Sequence, residues 1–363
     1  MAATALTTSC FKDEPLNAEA DILHISVQVD DPLKTFFNIS DTAMDVPYAG
    51  AGDSIIFTIK HGADVSAMAP KFVITEGATV EPASGTIRDF SHGKLPYTVT
   101  SQDGQWKRTY LVGFSEDNSR EYFSLDNATM YKDNLGNGRF YQWGDGLCTA
   151  NMGFMVARSS ATAEEYPTIY DPNGYQGGCA QLRTVSTGAW GLMTHKRIAA
   201  GNLFLGTFDM TYALTQTLKA TCFGRPVQKK PLTFSGYYKY KAGAQMQDAN
   251  GNNIEGTDSC AIYAVVFKNH DAEGKEVVLN GEDIMTNPNR VGMAKFYDIP
   301  QTSEWTPFCI EFKYWEELDP ELLKNRGYSM VFVCSASKDG DLFQGAEGST
   351  LWVDELMITS EEE

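Results

Sequence analysis

From Asp21 the chain alternates without interruption: Leu23, Ile25, Val27 and Val29 fall on one parity, and His24, Ser26 and Gln28 on the other. Successive side chains of an extended chain point to opposite faces, so this stretch predicts a half-buried strand. Strand-like runs recur at Ser54 to Lys60, Lys71 to Gly77 and Leu95 to Thr100. Asp103-Gly104 is then a hairpin signal into QWKRTYLVGF, where Trp106, Tyr110, Val112 and Phe114 share a parity. Short strands and turns at this spacing predict a small immunoglobulin-like β-sandwich over residues 21–114. The run SEDNSRE, Ser115 to Glu121, has no apolar residue and marks a boundary.

Beyond it, LFLGTFDM, SGYYKYKAG, CAIYAVVF, PFCIEFKYW, YSMVFVCSAS and STLWVDELMI read as strands rich in aromatic and β-branched residues. Only EELDPELLKNRG, Glu316 to Gly327, predicts a short helix or turn. Strands without βαβ alternation predict a larger two-sheet jelly roll over residues 121–360, so the whole chain reads as all-β. In the last strand, strict alternation puts Asp354 on the face of Trp352, Leu356 and Ile358, with apolar Leu351, Val353 and Met357 opposite. A carboxylate set among apolar neighbours must protonate, pair or bind a metal.

Composition narrows the function. At 363 residues the chain exceeds one ordinary core. A net charge of -18 with no basic stripe argues against nucleic acid. No run approaches the ~20 apolar residues of a membrane-spanning helix, which leaves only a lipid anchor as a membrane attachment. One is suggested by MAATALTTSC, a small and apolar run ending at Cys10 and followed by Lys12, Asp13 and Glu14. It resembles the end of a lipoprotein signal peptide with the acidic export signal of Bacteroidetes surface lipoproteins, although Thr7 stands where Leu is usual. Residues 1–20 are then a signal remnant and tether, with Cys10 as the lipidated residue, in a protein of the cell surface or outer membrane. The alternative is an unstructured N-terminus with an incidental cysteine. Setting Cys10 aside leaves six cysteines at wide spacing with no CxxC, which excludes zinc ribbons and leaves disulfides and buried thiols both open.

Four segments in order, IAAGNLFLGTF (Ile198 to Phe208), the Phe223-Gly224 and Pro226 turn, GYYKYKAG (Gly236 to Gly243) and SASKDGDLFQGAEGSTLWVDEL (Ser335 to Leu356), resemble the PCMD family, the putative carbohydrate metabolism domain of exported Bacteroidetes proteins. The N-terminal stretch ITEGATVEPASGTIRDFSHGKLPYTVTSQDGQWKRTYLV is similar to the immunoglobulin-like modules that precede such domains in surface lipoproteins. The resemblance implies a jelly-roll module of the galactose-binding-like or lectin-like kind, acting on glycans beside other surface glycan-utilisation proteins. It assigns no catalytic residue.

HExxH, GxxxxGK[ST], GxSxG and EF-hand patterns are all missing, the five histidines are scattered, and no organic cofactor is expected. Glycoside hydrolysis needs only two carboxylates, which distant strands can supply; Asp209, Glu311, Asp354 and Glu355 lie on or beside strands. Sugar binding uses flat aromatic faces with nearby amides and carboxylates. Tyr141, Trp143 and Asn151 in FYQWGDGLCTANMG, read as a loop or irregular strand, and Tyr170 and Tyr175 in TIYDPNGYQGG, read as a loop, are the candidate ligand residues. Trp190 and Tyr238 are weaker candidates, and Trp305 and Trp352 are expected in the core. Asp354 has three readings: a solvated carboxylate, one of a catalytic pair, or, as in galactose-binding-like modules, a ligand of a structural Ca2+ shared with Asp126. The resulting expectation is an exported, lipid-anchored protein that binds a polysaccharide or oligosaccharide without cleaving it. A glycoside hydrolase is the alternative, and a structural or adhesion component of a surface assembly is a third.

Overall fold

The computed structural model describes residues 15–36, 39–46, 53–60, 62–117, 119–213 and 215–362; Cys10 lies outside them. The chain forms two compact units, Met1–Asn118 and Ser119–Glu363. In the first, Ile22–Gln28 pairs with Ala43–Asp45 and Ala69–Ile74 in one sheet, and the other runs Ser54–Ile59, Lys107–Glu116, Leu95–Thr100 and Thr79–Glu81. Ile25, Val27, Ile55, Phe57, Tyr97, Tyr110 and Val112 fill the space between them. The alternation read from Asp21 holds at Ile25 and Val27, but a register shift between Ile22 and His24 turns Ile22 inward and leaves Leu23 exposed. Trp106, by contrast, is 62% exposed, because the strand begins only at Lys107.

The second unit is a sandwich of two larger sheets. The eight-stranded sheet runs Leu147–Cys148, Asn202–Phe208, Tyr328–Ser335, Ala261–Lys268, Arg290–Lys295 and Lys313–Tyr314, with Thr221–Phe223 and Arg225–Val227 pairing beside this path. The seven-stranded sheet runs Thr168–Asp171, Cys179–Ser186, Thr350–Ser360, Pro231–Lys241 and Thr302–Glu311, with Ile198–Ala200 and Arg120–Phe123 beside it. Phe234, Tyr238, Leu351, Val353 and Leu356 of one sheet meet Ile262, Ala264, Met330 and Phe332 of the other in a single core. Aromatic contacts bridge the layers, as between Phe234 and Phe332, stacked with centroids 5.0 Å apart. The helix expected near Pro320 is present as Pro320–Lys324, its first turn capped by the Asp319 carboxylate on the Glu321 and Leu322 N–H groups.

Two local expectations change. FYQWGDGLCTANMG is a strand, Gly138–Gln142, followed by a helix that begins at Asn151, and TIYDPNGYQGG opens with the strand Thr168–Asp171 before its loop. The last strand does not alternate strictly either. Tyr237 faces Asp354, but Ser235 faces Met357, so the final strand carries an extra residue at this point, with Glu355 in the left-handed region at φ 51°. This is a β-bulge. It moves Leu356 and Ile358 to the inward face with Leu351 and Val353, and leaves Trp352 and Asp354 on the outward face. Cys148, Cys179, Cys222, Cys260, Cys309 and Cys334 are all free thiols.

Candidate functional site

The outward face of the eight-stranded sheet carries a cleft of about 570 Å³, within the size range of small-ligand sites. Its floor follows from register: Tyr263 lies opposite both Lys295 and Val333, and Ser335 lies opposite both Ala261 and Asn202, so these side chains form two adjacent rows. After Ser335 the chain turns back in the short helical turn Gly340–Leu342, and this turn forms a wall bearing Lys338, Asp339 and Asp341. Lys338 pairs with Asp339 at 3.4 Å. Burial raises the Asp341 carboxyl above the usual range, and Asp339 beside it adds to the effect. On the opposite rim Tyr297 is 66% exposed, with the Lys295 ammonium 5.4 Å from its ring centre. Exposed Leu342 and Met285 add apolar surface at the mouth.

The wall is held from behind by Asp258, which is almost fully buried. Its Oδ2 accepts hydrogen bonds from the Ser337 hydroxyl at 2.6 Å, the Ser349 hydroxyl at 2.7 Å and the Ala346 N–H at 2.8 Å, while Oδ1 accepts from the Ser259 N–H. A charge with four donors is satisfied without a counter-ion. The segment after Ser335 is thereby fastened to the loop that leads into the floor strand Ala261–Lys268.

The residues singled out from sequence go elsewhere. Trp143 is buried, and its indole N–H donates to the Leu125 carbonyl. Asn151 is buried too; its amide donates to the Thr168 carbonyl and its Oδ1 accepts from the Thr168 N–H. The polar atoms of both are engaged inside the fold and neither lines the cleft, while Asn151 borders a separate hollow of about 120 Å³ together with Trp190. Tyr141 and Tyr170 come together, ring centres 6.0 Å apart, half-buried, with the Tyr141 hydroxyl donating to Glu164. Tyr238 is buried in the core, and Trp190 lies on the helix Gly188–Thr194 beside Lys196.

On the other sheet, Asp354 of the last strand and Asp126, just after the strand Arg120–Phe123, both hold the loop that carries Tyr175. The Asp354 carboxylate, 1% exposed, accepts from the Tyr175 N–H at 2.7 Å, the Gln176 N–H at 3.0 Å and the Glu355 N–H at 2.8 Å. Burial pushes its pKa up to about 6, against the pull of those amides. Asp126 accepts from the Gly178 N–H at 3.0 Å on the same loop. Close approach explains the glycines: a Cβ on Gly177 would sit 2.1 Å from the Asp126 Oδ1, and one on Gly174 2.7 Å from the Asp354 Oδ2. Backbone amides are the donors that face both carboxylates. Among the described residues no group of three or more His, Cys, Asp and Glu side chains is arranged to hold a metal.

The tethered loop lays the Tyr175 ring on Tyr237, with centroids 3.7 Å apart and planes 11° from parallel, and Trp305 stands edge-on to Tyr175 at 6.5 Å. Trp305 and Trp352 are thus half-buried on an outward face, not in the core as alternation within apolar runs suggested. Of the hydrolase candidates, Asp209 holds the Thr211 N–H and hydroxyl, and Glu355 accepts from the Tyr122 hydroxyl; no two of the four face each other across the cleft.

Known proteins bear on this geometry. The family model described as putative carbohydrate metabolism domain matches residues 113–359, and that described as SGBP, N-terminal matches residues 35–113. A crystal structure of a putative glycoside hydrolase from Bacteroides thetaiotaomicron VPI-5482 is similar at 35% identity and TM-score 0.59, covering 97% of this chain and 100% of that one. A second, of a putative glycoside hydrolase from Bacteroides vulgatus ATCC 8482, is similar at 36% identity and TM-score 0.60, covering 66% and 98%. No curated protein matches the chain significantly.

Proposed function

The chain belongs to the putative carbohydrate metabolism domain family, and on that premise we propose that it is an exported, surface-anchored protein that binds a polysaccharide or oligosaccharide in the cleft of the eight-stranded sheet without cleaving it. The observation that carries this reading is the cleft's lining: an exposed Tyr297 ring beside Lys295, facing Lys338, Asp339 and Asp341 across a floor with Tyr263, Asn202 and Ser335. An aromatic face covers the apolar face of a pyranose, and amide, hydroxyl and carboxylate groups around it exchange hydrogen bonds with sugar hydroxyls. The match of residues 35–113 to the N-terminal domain of surface glycan-binding proteins supports the same role. Among the described residues no helix is long and apolar enough to cross a membrane, and attachment through lipidated Cys10 is the reading taken here.

One observation favours a second reading. Asp341, with its carboxyl held protonated to higher pH beside Asp339, has the character of a general acid next to a second carboxylate, as in glycoside hydrolysis, and the two similar crystal structures are described as putative glycoside hydrolases. The test is a glycan array with the full chain, followed by reducing-end assay of every bound glycan. Retained, uncleaved glycan supports binding; reducing ends that disappear with Asp341→Asn support the hydrolase; no bound glycan overturns both. For the anchor, Cys10→Ala releases the protein from the membrane fraction, and continued association refutes lipidation at that residue.

A further inference from the structure

Across the core from the cleft, the seven-stranded sheet exposes a second arrangement. Lys239 lies opposite Trp352 in register, on the face left outward by the bulge. Its ammonium stands 4.5 Å from the Trp305 ring centre and 5.2 Å from that of Trp352, so it is held between two indoles drawn from the strands on either side. Beside it is a hollow of about 360 Å³ lined by Lys239, Lys241, Gln301, Thr302, Ser303 and Trp352. Lys241, two residues along the same strand, shares its parity and is exposed. Among the described residues neither lysine has a carboxylate within 4.0 Å, although the chain as a whole carries a charge of -18. The carboxylate on this flank, Asp171, takes the Trp352 indole N–H at 3.2 Å.

We propose that the face formed by Trp305, Lys239, Trp352 and Lys241 is a second saccharide site, selective for sugars that bear an anionic group, either a uronate carboxylate or a sulfate ester. The proposal rests on the reading of the chain as a saccharide-binding protein and adds a place and a charge to it. Indole faces suit a pyranose ring, as they would for any sugar. The two ammonium groups set the selectivity, because neither is in contact with a carboxylate and each keeps N–H donors free for an anion, although Asp171 on the flank already feels the Lys239 charge. The face is also preformed: the Tyr175 loop beside it is fixed by two hydrogen bonds to Asp354 and by the stack on Tyr237, so little ordering remains to oppose binding. A cation between two indoles also covers a sheet face without any ligand, and the experiment separates that case.

The test is calorimetric titration of the full chain with a uronic acid oligosaccharide, with its carboxyl-reduced neutral counterpart, and with a sulfated galactan oligosaccharide of matched length. The expected result is tighter binding of one or both anionic sugars than of the neutral one, weakened by raised sodium chloride. Replacement of both lysines, Lys239→Gln with Lys241→Gln, then weakens anionic binding about tenfold or more and leaves the neutral ligand unaffected. Tyr297→Ala, in the cleft, leaves anionic binding in place. The salt dependence uses the unaltered chain and so stands even where a lysine variant folds poorly. Affinity of both anionic sugars no greater than that of the neutral counterpart overturns the proposal and leaves the cleft reading standing, as does loss of anionic binding through Tyr297→Ala alone. Failure of every saccharide to bind overturns both. The uronate and sulfate arms identify which anion the face takes.

Discussion

The two outward faces of the larger unit are built by opposite means. On the eight-stranded sheet a recess forms because the segment after Ser335 doubles back over the strands, so the walls are charged turn residues and the floor is sheet. On the seven-stranded sheet the floor itself holds the aromatic and basic side chains, and a short loop covers only its edge. Each relies on one buried aspartate that holds other segments in place: Asp258 for the wall, through two hydroxyls and the Ala346 amide, and Asp354 for the loop, through the Tyr175 and Gln176 amides. A buried carboxylate in this protein is therefore best read first as a fastener. Chemistry is to be sought among the less buried groups that it holds in position.

Substitutions can separate the two faces. Asp258→Ala strips a buried acceptor from four donors and is expected to cost the most, about 3–5 kcal/mol, seen as a lower denaturant midpoint by tryptophan fluorescence. That probe reports mainly this unit, since only Trp106 of the six tryptophans lies outside it. Asp354→Ala leaves three N–H groups without an acceptor and is expected to cost about 2–4 kcal/mol, with binding at the cleft unchanged when measured under native conditions. Equal loss at both faces would show that they are one cooperative structure.

The pH dependence of Asp354 gives a smaller effect. Its folded pKa, about 6, lies above the ordinary 3.8, so the folded unit holds this proton more tightly than the unfolded chain does. The associated stability is full below pH 4 and is lost as pH rises through 6, by at most about 3 kcal/mol. Urea melts of the parent and of Asp354→Asn at pH 4 and pH 7 check this: the parent's decline between them should exceed the variant's, and identical slopes would refute the assignment. Smallest of all, Tyr297→Ala removes an exposed ring and should weaken cleft binding about fivefold, near 1 kcal/mol, without moving the melting temperature.

Much of the scaffold was legible because burial marks the sequence, as alternation where one face of a strand is covered and as an unbroken apolar run where both are. The rows from Asp21, in CAIYAVVF and in YSMVFVCSAS all lie in observed strands. The cleft was not legible, because its groups come from segments far apart in sequence, and Lys338, Asp339 and Asp341 read locally as an ordinary solvated turn. A signal did exist: a charged cluster bounded by glycine directly after a long apolar strand, in SASKDGDLFQG. Trp143 and Asn151 misled because glycine-rich surroundings suggested an open loop, whereas the chain there enters a helix and buries both. Trp305 and Trp352 misled in the other direction, since both parities of their strands are apolar enough to hide which one faces out.

The single extra residue near Glu355 acts on the final strand as a phase shift acts on a wave. Before it, even-numbered positions point away from the core; after it, even-numbered positions point in. One continuous strand can thus present Trp352 and Asp354 outward and still deliver Leu356 and Ile358 to the interior, a combination that unbroken alternation forbids. Parity counted back from the C-terminal end gives the wrong orientation for Asp354 and Trp352. The same holds for any relative aligned to this chain with a one-residue gap there, so the placement of that gap decides which of its side chains are compared with this face.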